Sequence, residues 1–133
     1  MRLREIGEFG LLARLMAQAR AASLTPEPIV GPGDDAAVLD STPGQRLVDT
    51  TDILLEEVHF SRKWFSPRDI GWKAAVANIS DIAAMGASPR WLLVGLGLPA
   101  DATVETAEEV QAGFVDAAGA CGATVVGGDV SAS

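Results

Sequence analysis

Cysteine and histidine occur once each in the 133 residues, as Cys121 and His59. A single cysteine cannot close an internal disulfide, and one thiol fits a reducing, cytoplasmic setting. With one histidine and one cysteine there is no Cys/His cluster for zinc. Basic residues stop at Arg90. Residues 91–133 hold six acids and no Lys or Arg, a local charge of −6, against −2 for residues 1–90. The total of −8 argues against nucleic acid or an anionic membrane surface as a partner, because neither would be attracted. Long hydrophobic runs are missing too: the longest charge-free apolar stretch, around Trp91–Ala100, is too short to span a bilayer. Glu5 and Glu8 sit inside the first amphipathic stretch, which excludes a signal peptide. There is no internal repeat, linker, low-complexity tract or P-loop spacing.

What is present is globular: 48% apolar and 21% charged residues, in a length that suits one domain with a real core. Ile6, Phe9, Leu12 and Met16 recur at helical spacing within residues 4–21, and Pro26 and Pro28 end that segment. Gly31-Pro32-Gly33-Asp34-Asp35 is a tight polar loop. Short strands are expected at Ala36–Leu39 and Arg46–Thr51, around a turn at 41–44. Ser66 as N-cap and Pro67 at the first helical position open a helix that runs to about Met85. A strand over Pro89–Leu98, a helix from Thr103 to about Cys121 and a strand at Ala123–Val126 follow. That order implies an α+β domain, an α/β sandwich with a mixed sheet and helices on one face. The chain ends four residues after Asp129, where a glycine-rich turn would lead onward. Residues 1–133 therefore read as the N-terminal domain of a longer protein, its C-terminal domain absent.

The acidic residues carry the chemistry. Asp34 and Asp35 fit an ordinary turn as well as a cation site. Asp52 closes Asp49-Thr50-Thr51-Asp52, whose oxygen-bearing side chains suit a hard cation or a strand-ending turn. Asp81 shares a helical face with Ile70, Ala74, Ala77 and Ala84, and a carboxylate among them needs a hydrogen-bonded partner or a metal. Asp129 follows Gly127-Gly128, which would let a ligand approach the backbone or simply turn the chain. Carboxylates near hydroxyls and glycines, with few bases, suit phosphates held through Mg²⁺. His59 fits a structural or surface role as well as a place in the same cleft. Cys121 reads as a small core residue. Trp64, Trp72 and Trp91 read as core or interface anchors.

Taken together, the segments resemble the N-terminal domain of the thiamine-monophosphate kinase family, within the aminoimidazole-ribonucleotide-synthetase-like superfamily. The matching pieces are Gly7-Glu8-Phe9, Gly31–Leu39, Thr51-Asp52 through Val58-His59-Phe60, Gly71–Ala74, Asn78–Ala87 and Gly127-Gly128-Asp129. The resemblance implies an α/β N-terminal domain that dimerises through its sheet. It implies transfer of the ATP γ-phosphoryl group to thiamine monophosphate, giving thiamine diphosphate and ADP. It further implies Mg²⁺ ligation by Asp35, Thr50, Thr51, Asp52, Asp81 and Asp129, with Asp34 beside them. His59 would contact the thiamine phosphate, and Gly128 and Asp129 would lie at the nucleotide. No residue is a nucleophile, which fits direct in-line transfer.

Two positions depart from the family pattern. Glu57 stands where a Gly is usual, and Val130-Ser131 replace a common Thr-Thr. Two other readings stay open: a relative in the same superfamily acting on a different acceptor, and a non-catalytic Mg²⁺-binding dimerisation module. On the strand at 91–98, Leu92, Val94, Leu96 and Leu98 share one face and Trp91, Leu93, Gly95 and Gly97 the other. Neither face carries a charge, so a homodimer is expected to cover the second.

Overall fold

Ser66 does open a helix in the computed structural model, which describes residues 1–22, 27–99 and 101–132. Five elements follow one another: α1 (Leu3–Ala21), α2 (Pro67–Ala84), β1 (Trp91–Leu98), α3 (Val104–Ala120) and β2 (Thr124–Ala132). The Ser66 hydroxyl accepts the Asp69 N–H at 3.2 Å, and the Asp69 carboxylate accepts the Ser66 N–H at 3.0 Å. This reciprocal box satisfies two backbone donors at the start of α2. Thr103 caps α3 from one side only, its hydroxyl accepting from Thr106 N at 3.2 Å.

α3 carries the chain back across the sheet, so β1 and β2 pair in parallel. Leu92 pairs with Val125 but Leu93 pairs with Gly127, which leaves Val126 as the extra residue of a bulge. Helices cover one face of this sheet. Ala75 and Ile79 of α2, Phe114, Ala117 and Ala118 of α3, and Leu92 and Val125 of the strands form one core cluster. Leu11 and Leu15 of α1 join Leu98, Val104 and Ala107 in a second. Burying a side chain the size of Phe114 is worth about 1.5–3 kcal/mol.

α2 and α3 touch backbone to backbone. A Cβ added at Gly71 would collide with the Val110 carbonyl, and one at Gly113 with the Arg68 carbonyl. Only glycine at both positions allows so close a crossing.

Several expectations are corrected. The α+β class holds, but the sheet among the described residues is two parallel strands, not a mixed one. Ala36–Leu39 and Arg46–Thr51 form no strands. Val38 makes an isolated bridge to Val30, and a strand needs a ladder beside it that this segment does not find. The last strand does not stop at Val126: Gly127, Gly128 and Asp129 lie inside β2 rather than in a turn. The buried stripe of α1 is Leu11, Leu15 and Ala19, whereas Phe9 is 85% exposed. Gly7, at φ 67° and ψ 174°, breaks the helix, so residues on either side share no continuous face. Cys121 is exposed at the C-cap of α3 and is not a core residue. Trp64 is exposed and Trp72 nearly half exposed, so neither anchors the core of this chain, while Trp91 stacks under Arg90 at 4.4 Å. Pro26, expected to help end the first helix, lies outside the described residues.

Candidate functional site

The C-terminal half of α2 and the extended stretch before His59 come together. Thr50 Oγ1 donates to Asp81 Oδ2 at 3.2 Å. The Asp52 N–H donates to Asn78 Oδ1 at 2.9 Å, and Asn78 Nδ2 donates to the Ala74 carbonyl at 3.0 Å. Asp81 is exposed, a correction to its expected place on a buried face. The buried residues of α2 are Ile70, Gly71, Ala75 and Ile79, and Asp81 lies two residues past the last of them, open to solvent. An open carboxylate needs no buried counter-charge.

His59 sits on a tight turn that closes Glu56 onto Phe60. Its N–H donates to the Leu55 carbonyl at 2.9 Å, and its Nδ1 accepts the Leu55 N–H at 3.0 Å. A nitrogen that accepts cannot carry the ring proton, so in this geometry Nε2 is the N–H donor and the exposed edge of the ring presents it. Lys73 of α2 donates to the His59 carbonyl and lies over the Phe65 ring at 5.1 Å. Glu57 has φ 61° and is the only non-glycine residue described with positive φ. Its N–H donates to the Phe60 carbonyl at 2.7 Å, and its carboxylate accepts from Ser61 Oγ at 2.9 Å. The neighbouring Glu56 carboxylate, by hydrogen bond and charge, holds the Arg62 guanidinium above its ordinary value.

The other candidates stand elsewhere. Asp34 accepts the Asp35 N–H at 2.9 Å, an ordinary turn contact, and both side chains are exposed. Arg20 steadies that loop, donating from Nη2 to the Pro32 carbonyl at 2.6 Å. Asp129 pairs in register with Gly95 on the uncovered face of the sheet and accepts from Ser131 Oγ at 3.3 Å. The space beside Gly128 is taken by the Val94 carbonyl of β1, so its missing side chain admits a strand rather than a ligand. Among the described residues no three His, Cys, Asp or Glu side chains converge on one metal position. Thr50 and Asp81 do meet. They offer oxygen donors only, the modest set with which Mg²⁺ is held when substrate phosphates complete its shell.

Two residues in this site were not singled out from the sequence as functional: Asn78 and Lys73. The sole signal for Asn78 is a polar amide one turn before Asp81, and for Lys73 a cation at the start of the small, mostly apolar run 74–79.

The family model for the AIR synthase related protein, N-terminal domain, matches residues 33–133. The chain belongs to this family. A thiamine-monophosphate kinase from Mycobacterium tuberculosis is 38% identical over 128 residues, which is 96% of this chain and 37% of that protein. A crystal structure of thiamine-monophosphate kinase from Stenotrophomonas maltophilia K279a superposes with a TM-score of 0.80 at 37% identity, covering 90% of this chain and 38% of the other. A structure of AaThiL complexed with AMPPCP and TMP superposes with a TM-score of 0.59 at 34% identity, covering all of this chain and 40% of the other. The chain therefore spans well under half the length of these relatives. Among the described residues no helix is long and apolar enough to cross a membrane.

Proposed function

We propose that this chain is the N-terminal part of a thiamine-phosphate kinase that transfers the γ-phosphoryl group of ATP to thiamine monophosphate. The observation that carries the reading is the meeting of Thr50 and Asp81 on α2, tied through that helix and Lys73 to a turn presenting His59. Support comes from the sequence likeness to thiamine-monophosphate kinases and from a structural neighbour complexed with AMPPCP and TMP.

In this reading Asp81 and Thr50 would hold Mg²⁺, with Thr51 and Asp52 beside them in the chain, while Asp35 and Asp129, on other segments, are further candidate ligands. When bound, Mg²⁺ supplies charge neutralisation at the phosphates. His59 donates from Nε2 to an oxygen of the acceptor phosphate and fixes its direction. Asp129 would face the nucleotide, while Gly128, packed against Val94, would hold its place in β2. No side chain is asked to act as a nucleophile, because positioning and charge neutralisation suffice for in-line transfer.

The reading includes a homodimer in the cytoplasm. Leu93 is 67% exposed on the uncovered sheet face, beside Gly95 and Gly97, and an exposed apolar sheet surface is covered by a partner. The face is not charge-free as β1 alone suggests, since Asp129 of β2 lies on it. The test of function is a coupled ADP-release assay on the full-length protein, comparing thiamine monophosphate with other phosphorylated acceptors. ADP release that depends on thiamine monophosphate supports the kinase; release with another acceptor alone places the protein elsewhere in the superfamily.

A further inference from the structure

We propose that Asn78 is a positioning residue, the clamp that sets Thr50 and Asp52 against Asp81; the proposal rests on reading Thr50 and Asp81 as the cation site of phosphoryl transfer. Residues 46–54 form no strand, so no ladder of backbone hydrogen bonds holds them in register. Two contacts tie the stretch to α2 instead: Thr50 to Asp81, and Asp52 to Asn78. Two steps along the extended chain, about 6.6 Å, are matched to three steps up the helix, about 4.5 Å. The contacts run in opposite senses, so the stretch lies antiparallel to α2. One contact alone would leave it free to pivot; two fix both place and direction.

The two contacts are not equivalent. The Thr50 hydroxyl and Asp81 carboxylate are the groups that would be given over to a cation, and their mutual hydrogen bond is lost when they ligate. The Asp52–Asn78 contact uses a backbone N–H and an amide oxygen, which remain in place. Asn78 is itself locked, because its Nδ2 holds the Ala74 carbonyl one turn back while Oδ1 faces Asp52. Reversing the amide would set Nδ2 against the Asp52 N–H and Oδ1 against the Ala74 carbonyl. The position demands a donor and an acceptor at once. Aspartate would turn a carboxylate toward the Ala74 carbonyl and add a negative charge between Asp52 and Asp81. Alanine would leave the Asp52 N–H without this partner.

The test uses full-length protein and two readouts besides turnover: amide hydrogen exchange at Asp52, and Mn²⁺ binding followed by electron paramagnetic resonance. In Asn78→Ala, exchange at Asp52 is expected to accelerate by roughly tenfold or more as the stretch opens locally. Mn²⁺ affinity is expected to fall by roughly tenfold or more, the usual loss when a group that orients metal ligands is removed. KM for thiamine monophosphate stays unchanged, because the His59 turn is held separately by Lys73. Asn78→Asp keeps the acceptor but loses the donor to Ala74 and adds a charge, so exchange at Asp52 is expected to accelerate there too, by less than in Asn78→Ala, which also reads the contact should the alanine variant not fold. Wild-type exchange at Asp52 in either variant overturns the proposal. So does wild-type Mn²⁺ affinity in Asn78→Ala when Asp81→Asn has lost it. If Asp81→Asn itself binds Mn²⁺ like the wild type, the cation site is wrongly placed; the functional reading then fails first and leaves Asn78 nothing to position.

Discussion

Glu57 holds φ at 61°, a backbone state that costs a non-glycine residue about 1–3 kcal/mol. The resemblance read in the sequence implies glycine at this position, and the conformation supplies a physical reason for it. In this chain the Ser61 hydroxyl and the Phe60 carbonyl hold the glutamate in place. Glu57→Gly removes the strain, at about 0.4–1 kcal/mol of added unfolded-chain entropy. The glycine variant is expected to melt at or above the wild-type temperature. Glu57→Val, β-branched and without the Ser61 contact, is expected to melt lower, and thermal melts of the two variants decide it. Asp81 makes the opposite case. It is exposed, so Asp81→Asn is expected to leave the melting temperature almost unmoved while removing most phosphoryl transfer. Near-normal turnover at saturating Mg²⁺ would show that the Asp81 charge is not used.

At the scale of elements, α2 matters most, because it carries the site at one end and its cap at the other. The Ser66 hydroxyl, and then its backbone N–H, hold the Asp69 carboxyl below its ordinary value of 3.8. A carboxyl depressed by folding stabilises the native state above its unfolded value, and that gain is lost as pH falls through the lower folded value. Asp69→Asn is therefore expected to melt below the wild type at neutral pH, with the gap closing as pH drops below 3.8. A gap that does not narrow at all as pH falls below 3.8 would assign the effect to something other than the charge. The crossing of α2 and α3 is the second dependency. Gly113→Ala forces its Cβ into the Arg68 carbonyl, and overpacking of this kind costs about 1–3 kcal/mol. Urea titration is the check. An unchanged midpoint would mean that the helices separate without penalty.

For the whole molecule, the sheet has one covered and one open face. Leu93, Gly95 and Gly97 look outward from β1, and Asp129 and Ser131 stand beside them on β2. A symmetric pairing through this face closes on itself. Leu93→Glu adds a carboxylate beside Asp129 in each protomer at the centre of such a pairing and is expected to convert the proposed full-length dimer to a monomer by light scattering. A dimer mass unaffected by Leu93→Glu would place the interface elsewhere. Val38 and Leu47 are also exposed, each within a segment expected to form a strand.

Sequence alone determined the elements whose boundaries are written in local chemistry. Ser66-Pro67 and Thr103 start helices because capping is settled within four residues. The alternation from Leu92 to Leu98 marks one strand and its inner face, because side-chain direction in a strand depends only on parity. The same local reading brought Thr50, Asp81 and His59 forward as candidates through the residue types around them. Tertiary structure decided everything that depends on a partner distant in the chain. Residues 46–51 have the composition of a strand, yet Thr50 contacts Asp81 of α2, and Asp52 just beyond contacts Asn78. Asp81 has apolar neighbours at helical spacing, yet it is exposed because the packing of α2 ends before it. Gly127 and Gly128 read as a turn, yet they continue β2 because Leu93 and Val94 of β1 lie against them. A side chain's burial and a strand's ladder are properties of pairs, and neither member carries the pair in its own sequence.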